Sequence, residues 1–65
     1  MDATVREEVV REPERHRITG ISRTTWWRQE RTGGAPSRIR LGPRAVGWRR
    51  SEIELWIVTR KVASE

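Results

Sequence analysis

Cysteine, tyrosine and phenylalanine are absent from this 65-residue chain, and His16, Met1 and Lys61 are the sole residues of their types. Without cysteine there is neither a disulfide staple nor a thiolate zinc site. His16 has only scattered carboxylates for company, so no metal site and no cofactor is expected. No apolar run approaches the roughly 20 residues of a membrane-spanning helix. The N-terminus, carrying Asp2, Glu7 and Glu8, lacks the basic-then-apolar pattern of a secretion signal. These absences read as a soluble, intracellular chain. The paired carboxylates Glu7-Glu8 and Glu52-Glu54 stand without a base, nucleophile or metal partner, so an enzyme is not expected.

Packing, or a partner, must therefore hold the fold. A domain this short buries only about 60% of its unfolded surface, so each large apolar side chain matters. Trp26, Trp27, Trp48 and Trp56 are the only aromatics, and a buried tryptophan removes on the order of 150–250 Å² from water. Charge is the other resource. The net +5 conceals a sharper segregation: residues 1–14 carry −3, residues 51–65 carry −1, and residues 15–50 carry +9, ten arginines against Glu30 alone. One sign of charge concentrated on a folded segment is the footprint of a surface for a polyanion. Arginine suits phosphate and guanine through its fork of donors, where lysine offers a point charge. The competing reading is a solvated surface whose arginines reflect codon usage.

Residues 1–8 alternate charge with little apolar content and read as a flexible arm, residues 9–62 as one domain, and residues 63–65 as a tail. Val9 and Val10 suit a short strand. Pro13 tolerates a first helical turn, and Glu12 and Glu14 suit its positive dipole end, which predicts a helix from about Pro13 to Ile18. Arg15, His16 and Arg17 give that helix no apolar stripe, so it is expected to add little to a core, with His16 on the surface. Gly20 can close it in the left-handed conformation.

Ser22 is placed to cap the next helix, with Ile21 and Trp26 spaced as a hydrophobic staple. With Trp26 inward, Arg23, Thr24, Trp27, Arg28 and Arg31 spread over the outer and flanking faces. Gly33, Gly34 and Pro36 stop that helix. From Ser37 the period becomes two, placing Ile39 and Leu41 on one face and Arg38 and Arg40 on the other. A turn across Gly42-Pro43-Arg44-Ala45 returns the chain through Val46 and Trp48, with Arg40 and Arg44 near its tip. Ser51 and Glu54 fit a capping box, and Ile53, Trp56, Ile57 and Arg60 follow as an inward stripe. The order predicts a mostly helical α+β domain, a small winged helix-turn-helix with about three helices and a two- or three-stranded antiparallel sheet.

Three blocks carry a family resemblance: Thr19-Gly20-Ile21-Ser22-Arg23-Thr24-Thr25, Arg40-Leu41-Gly42-Pro43-Arg44-Ala45-Val46-Gly47-Trp48, and Ser51-Glu52-Ile53-Glu54-Leu55-Trp56-Ile57. Over roughly residues 9 to 60 the chain resembles the AlpA-type prophage regulators, within the MerR-like and excisionase winged-helix proteins, and the second block is the specific one. The resemblance implies a second helix that reads the major groove and a wing, Gly42 to Val46, that approaches the neighbouring minor groove. It implies a transcriptional regulator or an excisionase-like directionality factor for an integrase. By position it implies DNA contacts from Ser22, Arg23, Thr24, Thr25, Trp27 and Arg28, and from Arg40, Pro43 and Arg44 on the wing. The helical and strand periods add Arg31 and Arg38 to these two surfaces. Glu12, Arg15 and His16 stand where the resemblance implies apolar residues, and Gln29 and Glu30 are more polar than it implies, which points to a loosened first helix or an unusual contact between copies.

Several roles stay open at this level. Arg23 and Arg28 can read guanine edges, contacts worth about 1–3 kcal/mol of discrimination, or hold phosphates. Thr24 and Thr25 suit a phosphate or a thymine methyl, and Thr25 equally suits support of the turn. Trp27 is either exposed against sugar and backbone or ordinary core. Arg44 fits a narrow minor groove, or a solvated turn. The expected partner is double-stranded DNA in the cytoplasm, for a bacterial or phage-encoded protein, with further copies of the chain, an integrase or RNA polymerase adding to a small interface. Neither a membrane nor a small-molecule substrate is expected. The rival classes are a protein-interaction module joining an acidic arm to a basic middle, and a single-stranded nucleic acid binder using Trp27 and the arginines.

Overall fold

Two glycines with positive φ, Gly20 at 72° and Gly33 at 85°, mark where the first two helices end. Only glycine enters this left-handed region at little cost, and there its N–H turns back to an unpaired helical carbonyl. Gly20 donates to the His16 carbonyl at 2.8 Å, and Gly33 to the Glu30 carbonyl at 3.2 Å. The structure, a computed structural model, describes residues 7–63. The elements run β1 (Val9–Val10), α1 (Glu12–Thr19), α2 (Arg23–Thr32), β2 (Ile39–Gly42), β3 (Ala45–Arg49) and α3 (Arg50–Val58). This is the expected α+β arrangement of three helices and a small antiparallel sheet, consistent with a winged helix-turn-helix. Most of the expected N-terminal arm, residues 1–6, lies outside the described residues.

The sheet has the order β1-β3-β2. Val9 and Val10 pair with Arg49 and Trp48, and Ile39 and Arg40 pair with Gly47 and Val46, with an irregularity between Arg40 and Gly42. The hairpin therefore turns where the Gly42-Pro43-Arg44-Ala45 pattern predicts. Gly47 is buried between both neighbours of β3. A Cβ there would lie 2.7 Å from Val9 Cγ1 and 3.0 Å from the Val10 carbonyl oxygen, so only glycine admits this approach. The Arg50 N–H extends the β1 side by donating to the Glu8 carbonyl at 2.8 Å.

Val10, Trp26, Ala35, Trp48 and Ile53 are the buried apolar residues, with Ile18, Ile21 and Trp56 packed against them. Trp26 centres this cluster, meeting Trp48 edge-to-face at 6.3 Å and Trp56 at 5.1 Å between ring centroids. Such edge-to-face pairs add about 0.5–1.5 kcal/mol beyond the area they bury. Ile21 flanks the core as the staple requires, and Ser22 caps α2 by accepting the Thr25 N–H at 3.3 Å.

Three expectations are corrected. Helix α1 joins the core through Arg15, which is fully buried. Its guanidinium lies 4.9 Å from the Trp26 ring centroid and 5.8 Å from that of Trp48, donates to the Ile21 carbonyl at 2.6 Å and the Thr19 hydroxyl at 3.1 Å, and pairs with Glu12 through both nitrogens facing it. A buried charge is tolerated when it is paired and its donors are met, and here its faces are covered by indole rings. The polar residues of α1 thus brace the turn into α2. The Ser51–Glu54 capping box does not form: the N-cap is Arg49, two residues before Ser51, with no side-chain cap, and Ser51 donates to Glu7 at 2.9 Å. Ile57, expected inside, is 38% exposed, because the α3 contact narrows to Ile53 and Trp56.

Candidate nucleic-acid interface

Glu30, the lone acid of the basic block, ties the outer surface to the core. Its Oε2 accepts from Trp26 Nε1 at 3.0 Å and from Trp48 Nε1 at 2.5 Å, and its Oε1 from Arg38 Nε at 2.9 Å. One carboxylate thereby joins α2, β3 and the residue that leads into β2. Its side chain is only 9% exposed, and all its partners donate, which is what an ionised carboxylate requires. The polarity of this position, unexpected from the resemblance, is the rim of the tryptophan cluster. The signal available in the sequence was a single acid amid ten arginines, with two tryptophans needing an acceptor.

Between α2 and the hairpin this joint leaves a cleft of about 380 Å³, lined by Glu12, Arg23, Thr24, Trp27, Arg38, Val46 and Trp48. Four of the expected site residues, Arg23, Thr24, Trp27 and Arg38, meet there. Trp27 is 47% exposed, with the Arg31 guanidinium 4.7 Å from its ring centroid, so the open orientation of this indole resolves outward. Arg28 and Arg31 are exposed further along α2, and Arg40, Pro43 and Arg44 are exposed on the hairpin. Arg40 reaches the Pro43 carbonyl at 3.5 Å across the turn. Ser22 and Thr25 are joined through their hydroxyls at 3.1 Å as part of the α2 cap. Arg38 is held by Glu30 and lies 5.4 Å from the Trp48 ring centroid, so it braces the hairpin as well as facing the cleft.

The carboxylates sort the arginines. Arg15, Arg17, Arg38 and Arg50 lie against Glu12, Glu14, Glu30 and the pair Glu8 and Glu14. Among the described residues six arginines have no carboxylate partner: Arg28, Arg31, Arg40 and Arg44, which lie on α2 or the hairpin, and Arg11 and Arg60, which instead donate to the Val46 and Trp56 carbonyls. Arg23 is 79% exposed, with its nearest carboxylate oxygen, on Glu12, at 3.9 Å. Arg50 holds the Glu14 carboxyl below its ordinary value through a hydrogen bond, with Arg17 adding to the effect, and is itself raised by Glu14 and Glu8. Among the described residues no helix is long and apolar enough to cross a membrane, and no group of three or more acidic, histidine or cysteine side chains is placed to hold a metal ion.

The family model described as Prophage CP4-57 regulatory protein (AlpA) matches residues 8–61. The chain is also 35% identical over 54 residues to an uncharacterized protein, ORF88, of Enterobacteria phage P4. That similarity covers 83% of this chain and 61% of the phage protein, so the chain spans about three-fifths of the length of this curated relative.

Proposed function

The chain belongs to the AlpA family of prophage regulatory proteins, and from that membership we propose that it is a sequence-specific double-stranded DNA-binding protein that regulates transcription. In this reading α2 enters the major groove, presenting Arg23, Thr24, Trp27, Arg28 and Arg31. The β2–β3 hairpin is the wing, presenting Arg40, Pro43 and Arg44 to the adjacent minor groove. Ser22 and Thr25 set the helix end near the backbone, and Arg38 fixes the wing's base. The reading places the protein in the cytoplasm of a bacterial host.

The observation that carries it is the sorting of charge. Flanking acids neutralise Arg15, Arg17 and Arg50, while four of the six described arginines without a carboxylate partner, Arg28, Arg31, Arg40 and Arg44, fall on the helix and hairpin that a winged helix-turn-helix presents to a duplex, Arg11 and Arg60 being the other two. Trp27 supports the same reading, because an exposed indole under an arginine is an odd thing to leave in water and a suitable one to lay against sugar and base edges. A single copy offers a small interface, so repeated half-sites or an additional protein partner, an integrase or RNA polymerase, would raise affinity.

The test is selection of bound duplexes from a random pool, followed by affinity for the winner and for scrambled DNA over a range of salt. Enrichment of a short motif is expected, with Arg28→Ala relaxing the preference and Arg44→Ala weakening both affinities alike. Salt-sensitive binding without any enriched motif would reduce the protein to a nonspecific polycation.

A further inference from the structure

One arginine that the charge segregation assigns to the acidic N-terminal stretch stands instead on the basic surface. Arg11, between β1 and α1, donates through Nε to the carbonyl of Val46 in β3 at 3.0 Å. That bond leaves its two terminal nitrogens unengaged by any hydrogen bond among the described residues and fixes the guanidinium at the seam between α2 and the hairpin. There a shallow cleft of about 470 Å³ is lined by Arg11, Arg23 and Arg44, together with Glu12, Pro13 and Val46. The three arginines come from three separate places: the approach to α1, the first turn of α2 and the tip of the hairpin. The acid in the cleft, Glu12, has its Oε2 3.9 Å from Arg23 Nε, but one carboxylate cannot offset three guanidinium charges and is shared with a fourth. Both oxygens of Glu12 accept from the buried Arg15.

We propose that Arg11, Arg23 and Arg44 form a clamp for a backbone phosphate of duplex DNA, with Arg11 as a binding residue outside the helix and the wing. The proposal rests on the duplex-binding reading above. The major and minor grooves of a duplex are separated by one sugar-phosphate strand. A protein that places α2 in one groove and the hairpin in the other must straddle that strand at the seam between the two elements, which is where this cleft lies. Three like charges converging on one cleft repel one another until an anion arrives, and a phosphate's two non-ester oxygens can accept from several guanidinium N–H groups at once. Because Arg11 is already oriented by the Val46 carbonyl, little conformational freedom is lost when it binds. A phosphate contact positions without reading sequence.

The experiment measures duplex affinity by fluorescence anisotropy for the native chain, Arg11→Gln and Arg11→Lys, on the selected motif and on scrambled DNA, over a KCl series. Gln can still donate to Val46 but carries no charge, and circular dichroism confirms that each variant keeps its fold. Arg11→Gln is expected to lose roughly five- to tenfold in affinity on both duplexes, with their ratio unchanged. The slope of log K against log salt is expected to shrink by about 0.9, the value for one phosphate contact, and Arg11→Lys is expected to restore it. A native slope and affinity in Arg11→Gln would overturn the clamp while leaving the duplex reading intact. A changed preference at an unchanged slope would overturn it too, marking Arg11 as a brace for the hairpin. A native chain that binds no duplex would remove both.

Discussion

Replacing Glu30 with alanine strips one acceptor from three donors, and the structure allows the loss to be worked through. The carboxylate meets Trp26 Nε1 at 3.0 Å, Trp48 Nε1 at 2.5 Å and Arg38 Nε at 2.9 Å. Both indoles belong to side chains that are 1% exposed. Each buried donor left unsatisfied costs about 1–3 kcal/mol. Arg38 is 37% exposed and can turn to water, so its share is about 0–1 kcal/mol. The expected total of about 2–7 kcal/mol stands against the roughly 3–10 kcal/mol that holds a domain of this length together. Glutamine keeps a carbonyl oxygen able to accept both indoles, but turns an amide toward Arg38. Glu30→Gln should therefore cost about 1–2 kcal/mol. Urea unfolding followed by tryptophan fluorescence and circular dichroism reads both values. With a slope near 1 kcal/mol per molar urea, alanine should lower the midpoint by about 2 M or more and glutamine by about 1–2 M. An alanine midpoint within about 0.5 M of native, or glutamine worse than alanine, would refute the idea that this carboxylate holds the two indoles.

Arg15→Ala should destabilise by about 3–5 kcal/mol, because it strands half-buried Glu12 and uncovers two indole faces, while Arg15→Met should cost less by refilling the space without a charge; thermal unfolding orders the two, and equal losses would contradict a role for packing. Gly47→Ala should cost about 1–3 kcal/mol and release β1 from β3, since its Cβ would fall 2.7 Å from Val9 Cγ1; unchanged stability and amide-exchange protection of Val10 would count against that close approach. Because hydrogen bonds from Arg50 and Arg17 hold the Glu14 carboxyl below its ordinary value, its contribution is complete above the usual glutamate range near about pH 4.3 and is lost as pH falls through the lowered value. The melting temperature of the native chain should accordingly fall more steeply below about pH 4 than that of Glu14→Gln, and parallel curves would show that the Arg50 clamp contributes nothing.

The fold was legible wherever a local rule governs. Gly20 and Gly33 close helices because only glycine enters that backbone region cheaply, Ser22 caps because its hydroxyl reaches the Thr25 N–H, and the Gly42-to-Ala45 turn falls between alternating strands. What was not legible depends on residues distant in sequence. The Ser51–Glu54 spacing satisfies a capping box, yet Ser51 finds Glu7, 44 positions earlier, and the helix begins without it. Arg15 reads as solvent-facing by its type, and becomes interior only because Trp26, Trp48, Glu12 and the Ile21 carbonyl converge on it. Arg11 was hidden by counting charge along the chain, since its place on the basic surface depends on a β3 carbonyl 35 residues away. Of the candidate site, the pattern showed which elements hold it, and long-range contacts decide what each side chain does there. Arg38 is the clearest case, an arginine of the wing strand by alternation that is also a brace by its bond to Glu30.

The polar groups inside this small core bear on how it could read DNA. Apolar burial is non-directional, so a few tryptophans pressed together would tolerate some rotation of α2 against the hairpin. Hydrogen bonds to one carboxylate are directional, and in a largely dry setting they are stronger and costly to leave unmade. Glu30 takes such bonds from Trp26 in α2, from Trp48 in β3 and from Arg38 at the start of the hairpin, and Arg15 fixes the α1–α2 turn to the same pair of indoles. The angle between α2 and the hairpin is therefore set by a few bonds of fixed direction, which a core of equal volume built from leucines would not supply. In the proposed function that angle is the distance between two grooves, so the carboxylate that interrupts the basic block contributes to reading without touching DNA. The same network explains how so short a chain can keep many arginines uncompensated on one surface, because their mutual repulsion is opposed by a joint whose geometry has little room to relax.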